Sequence, residues 1–240
     1  MIAVTGYEQA MTDSLLTLLP GSTRDRAGNV TLVLGGGAPR RLVACPLDEL
    51  GYVVGNVLDD GYLTLRRVGT SRANPLFDQQ LEGHRVTLVG GHGPVPGVVA
   101  VRSTHLNRGR PAATDPPFTV DNAYVDVGAQ SADEVAALGL RVLTPVALAK
   151  RPHRYGARLL AAAVLGRPRV RGTVVAAFTV QSQYATNAGL GGVKALQGPF
   201  DEVKELTLPV RFPDTAVETV SLAEAEALRR EVVAWLGGGR

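Results

Sequence analysis

Cys45-Pro46-Leu47-Asp48-Glu49-Leu50-Gly51 joins two strand-like runs through an acidic pair, and the fold is read outward from it. On one side Arg41 to Ala44 is short and apolar; on the other, Tyr52 to Leu58 is valine-rich. Both predict buried strands. Asp59-Asp60-Gly61 is a strong hairpin turn leading into a further strand, Tyr62 to Val68. Toward the N-terminus, Val30 to Leu34 reads as a strand. Gly6 to Leu19 reads as a helix, with Met11, Leu15, Leu16, Leu18 and Leu19 at helical spacing before Pro20-Gly21 stops it. Gly35-Gly36-Gly37 has the look of a phosphate-cradling loop, but a strand and not a helix follows, so a flexible hairpin is expected.

From about Thr70 to Val146 the texture changes. Short runs (Val86 to Val89, Val95 to Val101, Ala123 to Val127) alternate with Gly, Pro and His, and a brief helix is expected near Ser131 to Leu138. This predicts a small β-barrel-like insert over 70–146, set into a discontinuous α/β domain made of 1–69 and 147–240. Beyond it come a helix from about His153 to Leu165 and a very apolar strand, Thr173 to Val180. A Gly-rich stretch, Asn187 to Gly192, precedes a strand at Glu205 to Val210. The last helix runs from about Leu222 to Leu236, with Ser221 as N-cap and Glu224 at the capping-box position.

The chain has 240 residues, and its 25 Lys+Arg against 22 Asp+Glu give a net charge of +3. Lys150, Lys194 and Lys204 are its only lysines, and there is no run of basic residues. No nucleic-acid partner is therefore expected. One cysteine, Cys45, excludes an intrachain disulfide, and its Val/Ala surroundings predict a buried thiol. The longest apolar run, Leu159 to Leu165, is far too short to cross a membrane. The opening residues lack the pattern of a secretory signal, so a cytoplasmic location is expected.

Other chemistry-bearing residues read as structural. His84, His92 and His105 lack ligand spacing, and Ser182 lacks a nucleophile elbow. Arg151, Arg154, Arg158, Arg167, Arg169 and Arg171 form the densest positive region, read as a solvated face. Asp48 and Glu49 stand just past a strand end, where open α/β sheets place their ligands.

An ordered set of boxes resembles the glutamyl aminopeptidase and tetrahedral aminopeptidase family of dinuclear metallopeptidases. Val4-Thr5-Gly6-Tyr7-Glu8 is similar to its "SGYE" box, and Asp25 with Gly28-Asn29-Val30 to its "D-x-x-GN" strand entry. Pro46 to Gly51 is similar to "H-M-D-E-I-G", and Asp60-Gly61-Tyr62-Leu63 to the following hairpin. Asp126-Val127-Gly128-Ala129, Ser131, Glu134 and Leu138-Gly139 resemble the box of the insert. Phe178-Thr179-Val180-Gln181 leads into the slot of an "EE" pair. Pro209-Val210-Arg211-Phe212 through Val217-Glu218 resembles the closing box. The resemblance implies a three-layer α/β/α aminopeptidase-like domain, of phosphorylase/hydrolase-like type, with a small β-barrel insert.

It also implies which positions would carry chemistry, and there the chain departs. The family's reaction needs two metal ions, zinc or cobalt in active relatives, a bridging carboxylate and a Glu general base. The first His ligand falls on Pro46, and the bridging Asp on Pro152 beside His153, with only Arg154 retained. The catalytic Glu and its neighbour fall on Ser182 and Gln183, and the last His on Asp214. The segment with the remaining carboxylate is shortened to Gly191 to Leu208. Adjacent dications repel and need several anionic ligands, so no metal, no cofactor and no catalytic residue is expected. Pro46, Asp48, Glu49, Pro152, His153, Arg154, Ser182, Gln183 and Asp214 are the vestigial positions. An ion pair of Asp48 or Glu49 with Arg154 or Arg211 is expected to fill the space. The implied role is structural, in assembly or binding, as a homo-oligomer (dimer or larger) or beside an active paralogue. The alternative is a residual hydrolase with a rebuilt one-metal site.

Overall fold

The structure, a computed structural model, describes residues 2–69, 76–100, 118–149, 155–184, 188–208, 210–211 and 219–239. Its most apolar strand organises it. β10 (Thr173–Thr179) is buried along its whole length, as expected of a strand with neighbours on both edges and helices on both faces. One edge pairs antiparallel with β2 (Val30–Gly35); the other pairs parallel with β3 (Arg40–Pro46). β1 (Thr23–Arg24) and β11 (Glu202–Glu205) flank these, giving the order β1-β2-β10-β3-β11.

Alternation along β10 separates two cores. Val174, Ala176 and Phe178 pack with Leu15 and Leu19 around α1 (Gln9–Leu18), Leu160 and Val164 of α4 (Tyr155–Leu165), and Val232 and Leu236 of α6 (Leu222–Leu236). Val175 and Ala177 point the other way, onto Leu190 and Val193 of α5 (Ala188–Gln197). The three layers are those expected. The Ser221 hydroxyl caps α6 by accepting from Glu224 N at 3.3 Å. At the far end of α6, buried Arg41 donates to the carbonyls of Trp235 (2.5 Å) and Leu236 (3.0 Å), with its guanidinium 4.6 Å from the Trp235 ring centroid. It thereby satisfies orphan carbonyls that a helix end always leaves.

The second unit is a closed barrel of order β4-β5-β8-β7-β6-β9. Its strands are β4 (Gly51–Val57), β5 (Leu63–Val68), β6 (Arg85–Gly90), β7 (Gly93–Ala100), β8 (Tyr124–Asp126) and β9 (Pro145–Leu148). The barrel therefore begins at Gly51, not near residue 70, and closes through β9. Tyr52 pairs with Val146, and Leu63 with Val125. Composition changes near Thr70, but strand partnership does not follow composition. Tyr52 lies inside, stacked on Phe77 of α2 (Leu76–Gln79), and its hydroxyl donates to Asp78 Oδ1 at 3.0 Å. Asp78 in turn pairs with Arg67. Burial first, and the Asp78 charge second, push the Tyr52 phenol well above its usual range.

Two further expectations fail locally, and a stretch with no expected element forms a helix. Gly35-Gly36-Gly37 is not a hairpin turn, because β10 lies between β2 and β3. The Gly-rich stretch after Asn187 is helical: a Cβ on Gly189 would stand 2.0 Å from the Val180 carbonyl, so glycine lets α5 sit directly on the end of β10. The expected Glu205 to Val210 strand is divided. β11 ends at Glu205, and β12 (Val210–Arg211) pairs with β13 (Thr219–Val220) instead. The charged alternation of Glu202-Val203-Lys204-Glu205 gives little apolar signal.

Candidate functional site

The parallel neighbours β3 and β10 end together, with Pro46 in register with Thr179. The residues after them form one cluster at the carboxyl edge of the sheet, where open α/β folds hold their ligands. Asp25 prepares it from below. Its Oδ1 accepts from the amides of Ala27, Gly28 and Asn29, and its Oδ2 from the Asn29 side chain. Asn29 Oδ1 then accepts from Val180 N at 3.0 Å. The "D-x-x-GN" box thus fixes the end of β10.

Asp48 is the centre of the cluster. Its Oδ2 accepts from the Thr5 hydroxyl at 2.7 Å and from Gln183 N at 3.2 Å. Only 9% of the residue is exposed, and Oδ1 is buried with no hydrogen-bond partner among the described residues. Among the described residues Asp48 is held by two neutral donors and forms no ion pair with Arg211; Arg154, the other expected partner, lies outside them. The segment that follows is tied to the N-terminus through Thr5 N, which donates to the Glu49 carbonyl, and Glu49 N, which donates to Ala3 O.

Two further groups enter from the N-terminal box. Glu8 is 5% exposed and accepts from Gln181 N at 2.8 Å. Burial raises its pKa, backbone hydrogen bonds oppose the rise, and the charge of Asp48 adds to it. Tyr184 is also raised, first by burial and then by Tyr7, Glu8 and Asp48. Gly6, at φ +85°, brings the backbone up to the Tyr184 ring. Sequence reasoning quoted the box but assigned Glu8 no place; its pattern carries no chemistry of its own until β10 is folded beside it.

The structure therefore brings together Pro46, Asp48, Glu49, Ser182 and Gln183. Pro152, His153, Arg154 and Asp214 lie outside the described residues, as does His105. Cys45 is buried beneath the cluster, and a Cβ on Gly156 would come within 2.9 Å of its sulfur.

A sequence model of peptidase family M42, described as M42 glutamyl aminopeptidase, matches residues 28–166, more than half of the chain. The chain belongs to this family. Lysyl aminopeptidase of Pyrococcus furiosus is 26% identical over 226 residues, covering 87% of this chain and 63% of that protein. SgcX of Escherichia coli is 32% identical over 158 residues, 63% of this chain and 40% of its own length. The chain thus spans about two fifths to under two thirds of the curated relatives it matches. Among solved structures, the Pyrococcus horikoshii TET1 peptidase, described as assembling into a tetrahedron or a large octahedral shell, superposes with a TM-score of 0.79 at 20% identity, covering 99% of this chain and 96% of that one. At that identity the likeness establishes the fold.

The family is one of metallopeptidases, so the donor set can be tested against a metal pair. Pro46 has no side-chain donor, and Ser182 and Gln183 are neutral. The Gln183 backbone N–H donates to Asp48, and its side-chain Nε2 donates to the Ser182 hydroxyl at 3.4 Å. Among the described residues, no three His, Cys, Asp or Glu side chains are grouped so as to hold a metal ion. The described residues of this M42 member do not fit a dinuclear centre.

Proposed function

We propose that this chain is a non-catalytic homologue of the dinuclear-metal aminopeptidases, keeping their scaffold for a structural, assembly or binding role. Proline at position 46 carries the reading. The strand end that would present the first metal ligand presents a ring without a donor. Neutral Ser182 and Gln183 support it, because two adjacent dications need several anionic ligands. The roles of Pro152, His153, Arg154 and Asp214 as vestigial ligand positions belong to the same reading.

Self-association follows from the relatives, since the Pyrococcus horikoshii neighbour builds closed shells. A cytoplasmic homo-oligomer, or co-assembly with an active paralogue, is the corresponding biology. A second reading, a one-metal hydrolase, draws on the orphaned Oδ1 of Asp48, with Glu49, His153 and Asp214 as its further donors.

Metal content decides between them. Protein incubated with excess zinc or cobalt and desalted should hold well under one ion per chain, and release nothing from aminoacyl chromogenic substrates. Stoichiometric metal with chelator-sensitive release would overturn the proposal in favour of the hydrolase. Light scattering on the same sample should give a mass above that of one chain.

A further inference from the structure

Away from this cluster, α1 and α4 lie over the same face of the sheet and leave a slot between them. It measures about 320 Å³, the size of a small-molecule site. Met11, Leu15 and Leu18 form one wall and Ala161 and Leu165 the other, with Leu47 fully buried beneath them. Leu18 and Leu165 are 48% and 49% exposed, so this surface is wet apolar carbon that burial would stabilise.

The slot has two unlike ends. Beyond Leu18 and Leu165, the Arg167 guanidinium donates to the Pro20 carbonyl and ties together the segments that follow the two helices. Toward the start of α4 stands Arg158, the single ionisable residue on the lining. No carboxylate among the described residues pairs with it. The one hydroxyl on the lining, Ser14, already donates to the Ala10 carbonyl. Among the described residues, the polar content of the slot is therefore a lone cation at its edge.

Charge and shape together choose the occupant. From Met11 to Leu18 the slot runs for two helical turns, about 10 Å. An unbranched alkyl chain lies along it. We infer that the slot binds an alkyl carboxylate, its tail on Met11, Leu18 and Leu165 and its head on the Arg158 guanidinium. An exposed ion pair adds little by itself, so apolar burial supplies most of the affinity and Arg158 the choice of head group.

Calorimetric titration of the full chain with hexanoate, octanoate and decanoate, all below micelle formation, tests this. Saturable binding at one site is expected, with affinity rising roughly fourfold per methylene until the slot is full. Arg158→Gln should weaken decanoate severalfold and leave 1-decanol unchanged. Ala162→Phe, a filling substitution at an exposed lining position, should abolish both while leaving the melting temperature in place. Absence of saturable decanoate binding overturns the inference, as does decanoate binding that Ala162→Phe leaves untouched. Equal loss of acid and alcohol in Arg158→Gln removes the carboxylate assignment. A dimer that Ala162→Phe splits would give the slot to a second copy and overturn it too.

Discussion

Asp48 and Asp78 are buried to almost the same degree, 9% and 8% exposed, but they live in opposite surroundings. In the barrel wall, Asp78 takes the Tyr52 hydroxyl on one oxygen and pairs with Arg67 on the other. At the carboxyl edge of the sheet, Asp48 has only neutral donors among the described residues, and one of its oxygens has none there. A buried charge costs free energy unless it is compensated. Asp78 is the compensated case, a fastener between α2 and the barrel. Among the described residues, Asp48 has no such cation beside it.

The strongest way to break the comparison is to remove the compensation. Arg67→Met leaves buried Asp78 without its cation and, because the Arg67 side chain is partly screened by solvent, should cost about 2 kcal/mol in urea denaturation; a loss below about 1 kcal/mol would make the barrel pair dispensable. Tyr52→Phe removes one donor from the same network and should cost about 1–2 kcal/mol by the same measurement. Asp48→Asn should change stability by less than about 1 kcal/mol in either direction, because no cation among the described residues stabilises the charge it removes. A cost as large as that of Arg67→Met would mean that Asp48 is held by charge after all.

The smallest effect sharpens the contrast through pH. The Glu8 carboxyl binds its proton more tightly in the folded chain than at its ordinary value near 4.5. The folded state therefore holds more protons across that window, and stability falls as pH rises from about 4.5 through the raised value. Glu8→Gln should flatten this slope in thermal melts from acid to neutral pH. An unchanged slope would assign it to another group.

Much of this arrangement is legible from residue patterns. The unbroken apolar run of β10 announces a strand covered on both faces, and Ser221 with Glu224 announces the start of α6. The Cys45 to Gly51 box marks the strand end where the cluster forms. What is hidden is partnership. Nothing local says that Tyr52 to Val68 pairs into the barrel, or that Glu8 will meet Gln181 across 173 residues of chain. The helix over Gly189 is hidden for another reason: glycine lowers helix propensity, and its benefit, close contact with Val180, exists only after folding.

The central position of β10 also has a history in time. β2 and β3 leave the ribosome early, but the strand that separates them begins at Thr173, after the whole barrel has been made. At ordinary synthesis speeds that interval is on the order of ten seconds. Throughout it, two apolar strands wait with open edges, the condition that favours pairing with another chain. The barrel, complete by Leu148, can form first; the sheet cannot. A nascent chain halted between the two is therefore the form of this protein most in need of a chaperone.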